Sequence, residues 1–395
     1  MAEPRTVEQL LAAKEIVVCC GSGGVGKTTT AAAAAVMSAV ALGGKTLVLT
    51  VDPARRLADA LGVESLGNRE RRIAPEAFKE AGVEPRGELW AAMLDTKQSW
   101  DELVLRHAPD RATADRIFGN ALYQNVSGRF VQSHEYIAME RLYDAHNSGR
   151  YDLIVLDTPP TRNAVDFLRA PDRMADFFAS RLLRWLTASS RSRVLNLASR
   201  PFYQVADRIL GSQFLEDVAE FFLLFQSMYD GFSQRSNSVK RLLHDRRTTF
   251  LVVSTLEATP LREAEAFLTG LVADGFHPGA VILNKVLPAY LLEPGLGTVA
   301  ERLAADAPAL AQQVGGDPAS AATAARVLRE VAESFLNFSV VAKREAEQRA
   351  ELASVPDVVV TVPYFDQDIC DLPGLLDLGR AIWGSTGERS SRRRG

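Results

Sequence analysis

Short apolar runs rich in β-branched residues alternate along the chain with longer segments whose apolar residues recur at three- and four-residue intervals. The first run, residues 15–20, stops at glycines, and the Ala-rich stretch 29–42 reads as a helix ending at Gly43-Gly44. Further strands are expected at 46–51, 89–94, 153–156, 250–254, 280–283 and 358–362. Strands separated by helical segments predict an α/β fold with a doubly wound, mostly parallel sheet. Three long helical insertions, about 95–148, 163–246 and 292–352, are too apolar to be linkers and are expected to form a helical subdomain. Residues 1–383 read as a single domain, and the Gly-, Ser- and Arg-rich stretch 384–395 as a disordered tail.

Composition narrows the partners. The 395 residues carry 45 basic and 49 acidic side chains, a net charge of -4, which argues against a nucleic-acid-coating surface. Residues 1–14 lack the charge-then-apolar order of a secretory signal, and no apolar stretch approaches the ~20 residues of a membrane span. A soluble, cytoplasmic protein is expected. Of the three cysteines, Cys19 and Cys20 fall in a predicted buried strand, where small packed side chains rather than metal ligands are expected.

The chemistry concentrates where the first strand meets the first helix. Gly21-Ser22-Gly23-Gly24-Val25-Gly26-Lys27-Thr28 matches the phosphate-loop pattern GxxxxGK[ST]. Its glycines let backbone N–H groups point inward at phosphate oxygens. Lys27 would bridge the β and γ phosphates, the Thr28 hydroxyl would ligate Mg²⁺, and Thr29 begins a helix whose positive end favours the anion. ATP and Mg²⁺ are the cofactors this implies. Asp157 closes the strand 153–156, where a carboxylate would stand behind Mg²⁺ and its waters. Asp52 ends the next strand; it either orients the attacking water or caps the helix that follows, and both roles are compatible.

With these pieces in order, the chain resembles the ArsA family, which includes arsenite-pump ATPases and guided-entry ATPases that deliver tail-anchored membrane proteins. The resemblance is carried by residues 21–30, Asp52-Pro53-Ala54 with Asp59, and Asp157-Thr158-Pro159-Pro160-Thr161 with Phe167-Leu168. Thr248-Thr249-Phe250 leading to Glu257, and Asn284, add to it, and it spans about 14–382. It implies phosphate binding by Gly23, Gly24, Gly26 and Lys27, and Mg²⁺ binding by Thr28. Asp52 would polarise the hydrolytic water, Asn284 would read the adenine, and Glu257 would line the nucleotide region near a dimer interface. A homodimer, or a heterodimer with a paralogous ATPase, is implied too.

Four departures from the family pattern qualify the expectation. The lysine usual before the glycine pair, which reaches the partner's phosphates, is Ser22 here, and a neutral hydroxyl cannot supply that charge. Either hydrolysis is slow, a partner supplies the lysine, or another cation substitutes; Arg55 and Arg56 are candidates, with solvated helix-start arginines as the plainer reading. Arg55-Arg56 replaces the usual His-Asn, and Arg162-Asn163 the usual Gly-His. Neither a CxxC clasp nor the arsenite-binding cysteine triad is present.

Apolar residues recur at helical spacing in two places within the insertions: Met174, Phe177, Phe178, Leu182, Trp185 and Leu186, then Phe214, Val218, Phe221, Phe222, Phe225 and Tyr229. They line a groove for a hydrophobic or membrane-protein client, or they pack a helical subdomain or dimer seam. The later stripe Val327, Val331, Phe335, Phe338 and Ala342 is expected to be packing. Four functions follow: an ATP-hydrolysing machine with a client site, a regulatory ATP-binding subunit with weak hydrolysis, an ATPase subunit of an anion or metalloid exporter, and a partitioning ATPase.

Overall fold

A computed structural model describes residues 6–52, 56–126, 133–159, 168–170, 173, 212–314, 317–351 and 358–384. Its strands are β1 (Ile16–Gly21), β2 (Lys45–Thr50), β3 (Arg71–Arg72), β4 (Glu88–Met93), β5 (Leu153–Asp157), β6 (Thr248–Ser254), β7 (Pro278–Val286) and β8 (Val358–Pro363). They form one eight-stranded sheet in the order β3-β4-β2-β5-β1-β6-β7-β8. Each pairing is parallel except that of the short edge strand β3 with β4. All the expected strands are present. The unexpected β3 consists of two exposed arginines and so carries no apolar run to betray it.

The helices described are α1 (Val7–Ala12), α2 (Lys27–Met37), α3 (Arg56–Ala60), α4 (Pro75–Glu80), α5 (Thr96–His107), α6 (Arg111–Gly119), α7 (Ala121–Val126) and α8 (Ser133–Asn147). They continue with α9 (Ser212–Gln226), α10 (Tyr229–His244), α11 (Ala258–Ala273), α12 (Pro294–Val314), α13 (Pro318–Glu351) and α14 (Leu372–Gly384). Helix α2 widens over Ser38–Leu42 into a π-helical turn that ends at Gly43, where φ is 77°. No helix among the described residues is long and apolar enough to cross a membrane.

The central strands are buried on both faces, as a parallel sheet with helices on each side requires. In β1, Ile16, Val18 and Cys20 face one core and Val17 and Cys19 the other. The second core packs the Ala-rich α2 and the C-terminal α14 against the sheet. Their approach is so close that a Cβ on Gly379 would lie 2.2 Å from the Met37 side chain. The first core takes in α5 to α11. Within it, Trp100, Tyr123, Tyr136, Phe225 and Phe232 form one aromatic cluster with ring centroids 6.0–6.4 Å apart. Beside it, Glu140 is 2% exposed yet accepts hydrogen bonds from Tyr136 at 2.7 Å and from Arg235 Nε at 2.8 Å. A buried carboxylate survives only with such partners.

The two apolar stripes of the middle insertion fare differently. Met174, Phe177, Phe178, Leu182, Trp185 and Leu186 lie outside the described residues. In α9, Phe221, Leu224 and Phe225 are buried in the first core. The stripe on α13 corrects the expectation of packing: Ala342 is buried, but Val327, Val331 and Phe338 are 48%, 56% and 51% exposed. Helix α13 uses its small residues, Ala332, Ser339 and Ala342, on its buried side, which leaves the larger ones outside.

Candidate nucleotide-binding site

The C-terminal ends of β1, β2, β5, β6 and β7 all open on one edge of the sheet, where ligands of such folds bind. From β1 the chain enters residues 21–28. A Cβ on Gly21 would stand 2.2 Å from the Val253 carbonyl oxygen of β6, so glycine alone allows the loop to leave the strand there. Gly24 and Gly26 have φ of 82° and 91°, a left-handed geometry that side chains rarely tolerate. Val25 is buried and anchors the loop from below, while Gly23 and Gly24 are exposed. Lys27 opens α2 and is only 6% exposed; Thr28 and Thr29 follow, half-buried.

Asp157 ends β5, in register with Cys19 of β1 and Thr50 of β2, and is fully buried. Thr50 donates from Oγ1 to Asp157 Oδ2 at 2.8 Å, whereas Asp157 Oδ1 has no hydrogen-bond partner among the described residues. Burial pushes the Asp157 carboxyl above the ordinary carboxylate range, and Lys27, Thr28 and Thr50 oppose that shift. A buried acidic oxygen without a partner, beside a lysine and the Thr28 hydroxyl, suits a divalent cation with its waters. Mg²⁺ therefore fits these residues, Thr28 as its ligand and Asp157 behind it.

The same Thr50 hydroxyl accepts the Asp52 N–H at 3.1 Å, so one side chain links the two acidic strand ends. In the sequence Thr50 is an ordinary strand residue, marked only as a hydroxyl at the last position of a central strand. Pro53, Ala54 and Arg55 lie outside the described residues, as do Arg162 and Asn163, and Arg56 is exposed at the start of α3. Glu257 is exposed at the N-cap of α11, at the end of β6, and its charge helps burial raise the Glu345 carboxyl of α13.

Three contacts at the phosphate loop have no signal in the sequence. Ser22 donates a short hydrogen bond from its hydroxyl to Glu263 Oε2 on α11, 241 residues further along the chain. Asn284, expected at the adenine, is buried and donates from Nδ2 to the Val25 carbonyl at 2.9 Å, while its Oδ1 accepts the Lys285 N–H. Lys285 in turn donates from Nζ to the Gly24 carbonyl at 3.1 Å. Nothing in the periodicity of residues 280–286 announces that Lys285 reaches this loop.

Cys19 and Cys20 are buried, with burial the chief cause pushing both thiols up, Cys20 to about 12. Such thiols stay protonated and serve as small packed residues.

Comparison with known proteins agrees with this geometry. A 27% identical relative over 256 residues, from Chlorobaculum tepidum, bears the name "Putative arsenical pump-driving ATPase"; the match covers 63% of this chain and 55% of the relative. A protein of Prosthecochloris vibrioformis with the same name matches to the same extent. One from Aquifex aeolicus, with that name numbered 1, is 23% identical over 270 residues, covering 64% of this chain and 58% of its own. The chain thus spans little more than half the length of these relatives. The profile of the ArsA-type anion-transporting ATPases matches residues 14–305, from the strand before the phosphate loop into the hairpin beyond Asn284, and the chain belongs to that family.

Proposed function

We propose that the protein binds ATP with Mg²⁺ in the loop 21–28 and hydrolyses it, and that it does so as a nucleotide-switched dimer in the cytoplasm. The observation that carries this reading is the buried Asp157, one oxygen held by Thr50 and the other without a hydrogen-bond partner among the described residues, beside Lys27 and Thr28. The loop amides and Lys27 bind the phosphates. Mg²⁺, when bound, neutralises charge that develops on the phosphate oxygens. Thr28 and Asp157 hold its site, and Asp52, fixed by Thr50, orients the attacking water. The test is Mg²⁺-dependent phosphate release from ATP. Lys27→Ala is expected to abolish it with the fold intact, and Asp52→Asn to lower turnover about 10²-fold or more while nucleotide still binds. No turnover, alone or with a paralogue, would sink the reading.

The Ser22 contact favours a second reading, a regulatory subunit that holds ATP and hydrolyses it weakly until a lysine-bearing paralogue sits opposite. Ser22 carries no charge and is committed to Glu263 within its own chain. Under this reading Ser22→Lys, or the paralogue, raises turnover sharply; a Ser22→Lys protein with wild-type turnover removes it. The relatives' arsenical role is a third reading. The packed, protonated Cys19 and Cys20 offer no soft thiolate donors and the exposed Cys370 is a single thiol, so stimulation by arsenite or antimonite is what would favour it. A hydrophobic or membrane-protein client remains part of the first reading, and the exposed stripe of α13 is now its surface candidate on the described residues.

A further inference from the structure

We infer that Asn284 and Lys285 are positioning residues that hold the phosphate loop open to anions, with Lys285 adding a positive charge at the glycine pair that Ser22 does not supply. The inference rests on the nucleotide-binding reading above.

The geometry begins in β7. Its pairing with β8 shifts register between Leu283 and Val286, and within that shift Lys285 adopts φ of 60°. It is the one non-glycine residue with positive φ among the described residues. An ordinary side chain in the left-handed region costs free energy, and such strain persists where the surroundings enforce it. Here the irregular turn aims two consecutive side chains at two consecutive carbonyls of the loop. Asn284 takes Val25 O at 2.9 Å and Lys285 takes Gly24 O at 3.1 Å. Asn284 also accepts the Lys285 N–H at 3.0 Å, so the pair is braced internally.

Peptide planarity turns these contacts into a statement about phosphate. In a trans peptide the carbonyl of one residue and the N–H of the next point to opposite sides. Pinning Gly24 O fixes the direction of the Val25 N–H, and pinning Val25 O fixes that of Gly26. Both amides are then directed away from the clamp before any anion arrives. A glycine-rich loop loses much conformational entropy when it orders, and the clamp pre-empts part of that loss. The ammonium of Lys285, hydrogen-bonded to the loop itself, raises the local potential for a polyanion. It touches the glycine pair directly, through its hydrogen bond to Gly24.

Calorimetric titration of the whole chain with Mg-ADP and Mg-ATP, at low and moderate salt, tests this. Lys285→Met is expected to weaken both nucleotides by about tenfold and to an equal degree, because the pinned amides precede the γ-phosphate, with a flatter salt dependence. Lys285→Arg should stay within about threefold of wild type. Lys285→Gly removes the strain along with the charge. It should lose affinity as Lys285→Met does while its melting temperature is unchanged or higher, an outcome a purely structural lysine would not give. Lys285→Met within about twofold of wild type for both nucleotides overturns the inference while leaving ATP binding intact. A wild-type protein that binds neither nucleotide overturns the binding reading and this inference together.

Discussion

Helices α9 and α13 carry similar apolar stripes and end in opposite surroundings. In α9, Phe221 and Phe225 are buried among neighbouring helices, and Phe225 meets Trp100 of α5, Tyr123 of α7 and Phe232 of α10. In α13 one side packs against α12 through small residues, and Val327, Val331 and Phe338 lie on an adjoining exposed side. A helical period therefore reveals that a face exists but not what covers it. Ring size on the packed side separates the two: large rings fill a junction of several helices, whereas alanine and serine suit the close approach of a two-helix hairpin.

Substitutions can break that contrast. Phe225→Ala should lower unfolding free energy by about 3–5 kcal/mol in denaturant titration, since it empties the centre of an aromatic cluster. A cost under about 1 kcal/mol would mean that α9 is loosely seated and no different from α13.

A smaller effect is expected at the foot of the hairpin. There Glu345 of α13 accepts the Leu287 N–H at 3.1 Å, just past the bulge of β7. Glu345→Ala strands that amide and should cost about 1 kcal/mol, while Glu345→Gln keeps an acceptor and should cost less. Equal costs for the two variants would show that the contact contributes nothing.

The smallest change belongs to the exposed stripe. Val331→Ser and Phe338→Ser should each alter stability by less than about 0.5 kcal/mol and make the protein more soluble. If Phe338→Ser instead costs more than about 2 kcal/mol, the stripe is covered in solution and the contrast with α9 disappears.

Much of this architecture is legible in the amino-acid sequence. The buried strands read as continuous β-branched runs because both faces of a parallel sheet exclude water. The loop read as a phosphate cradle because glycine spacing and a lysine-threonine pair have few other uses. Asp157 and Asp52 stand out in the sequence because strand ends carry the chemistry of such sheets. What escaped were partners joined only by the fold: Glu263 to Ser22, Lys285 to Gly24, and Thr50 to both acidic strand ends. Their residue types are ordinary, and their roles arise from a register shift, a helix start and a neighbouring strand, none of which leaves a local period. The family pattern singles out Asn284 for the adenine, whereas its hold on the Val25 carbonyl is visible only in space.

The contact between Gly26 and Asn284 has a consequence for how this protein can vary. A methyl group at position 26 would fall 2.3 Å from Asn284 Nδ2, so the amide occupies the space that the missing Cβ leaves. Each residue sets what the other position tolerates, and their substitutions are epistatic rather than independent. Shrinking Asn284 would admit a Cβ at position 26 sterically, yet the φ of 91° there would still penalise it. No single mutational step leads away from the pair without loss, so both residues should persist through sequence drift as a unit, even where the surrounding loop changes.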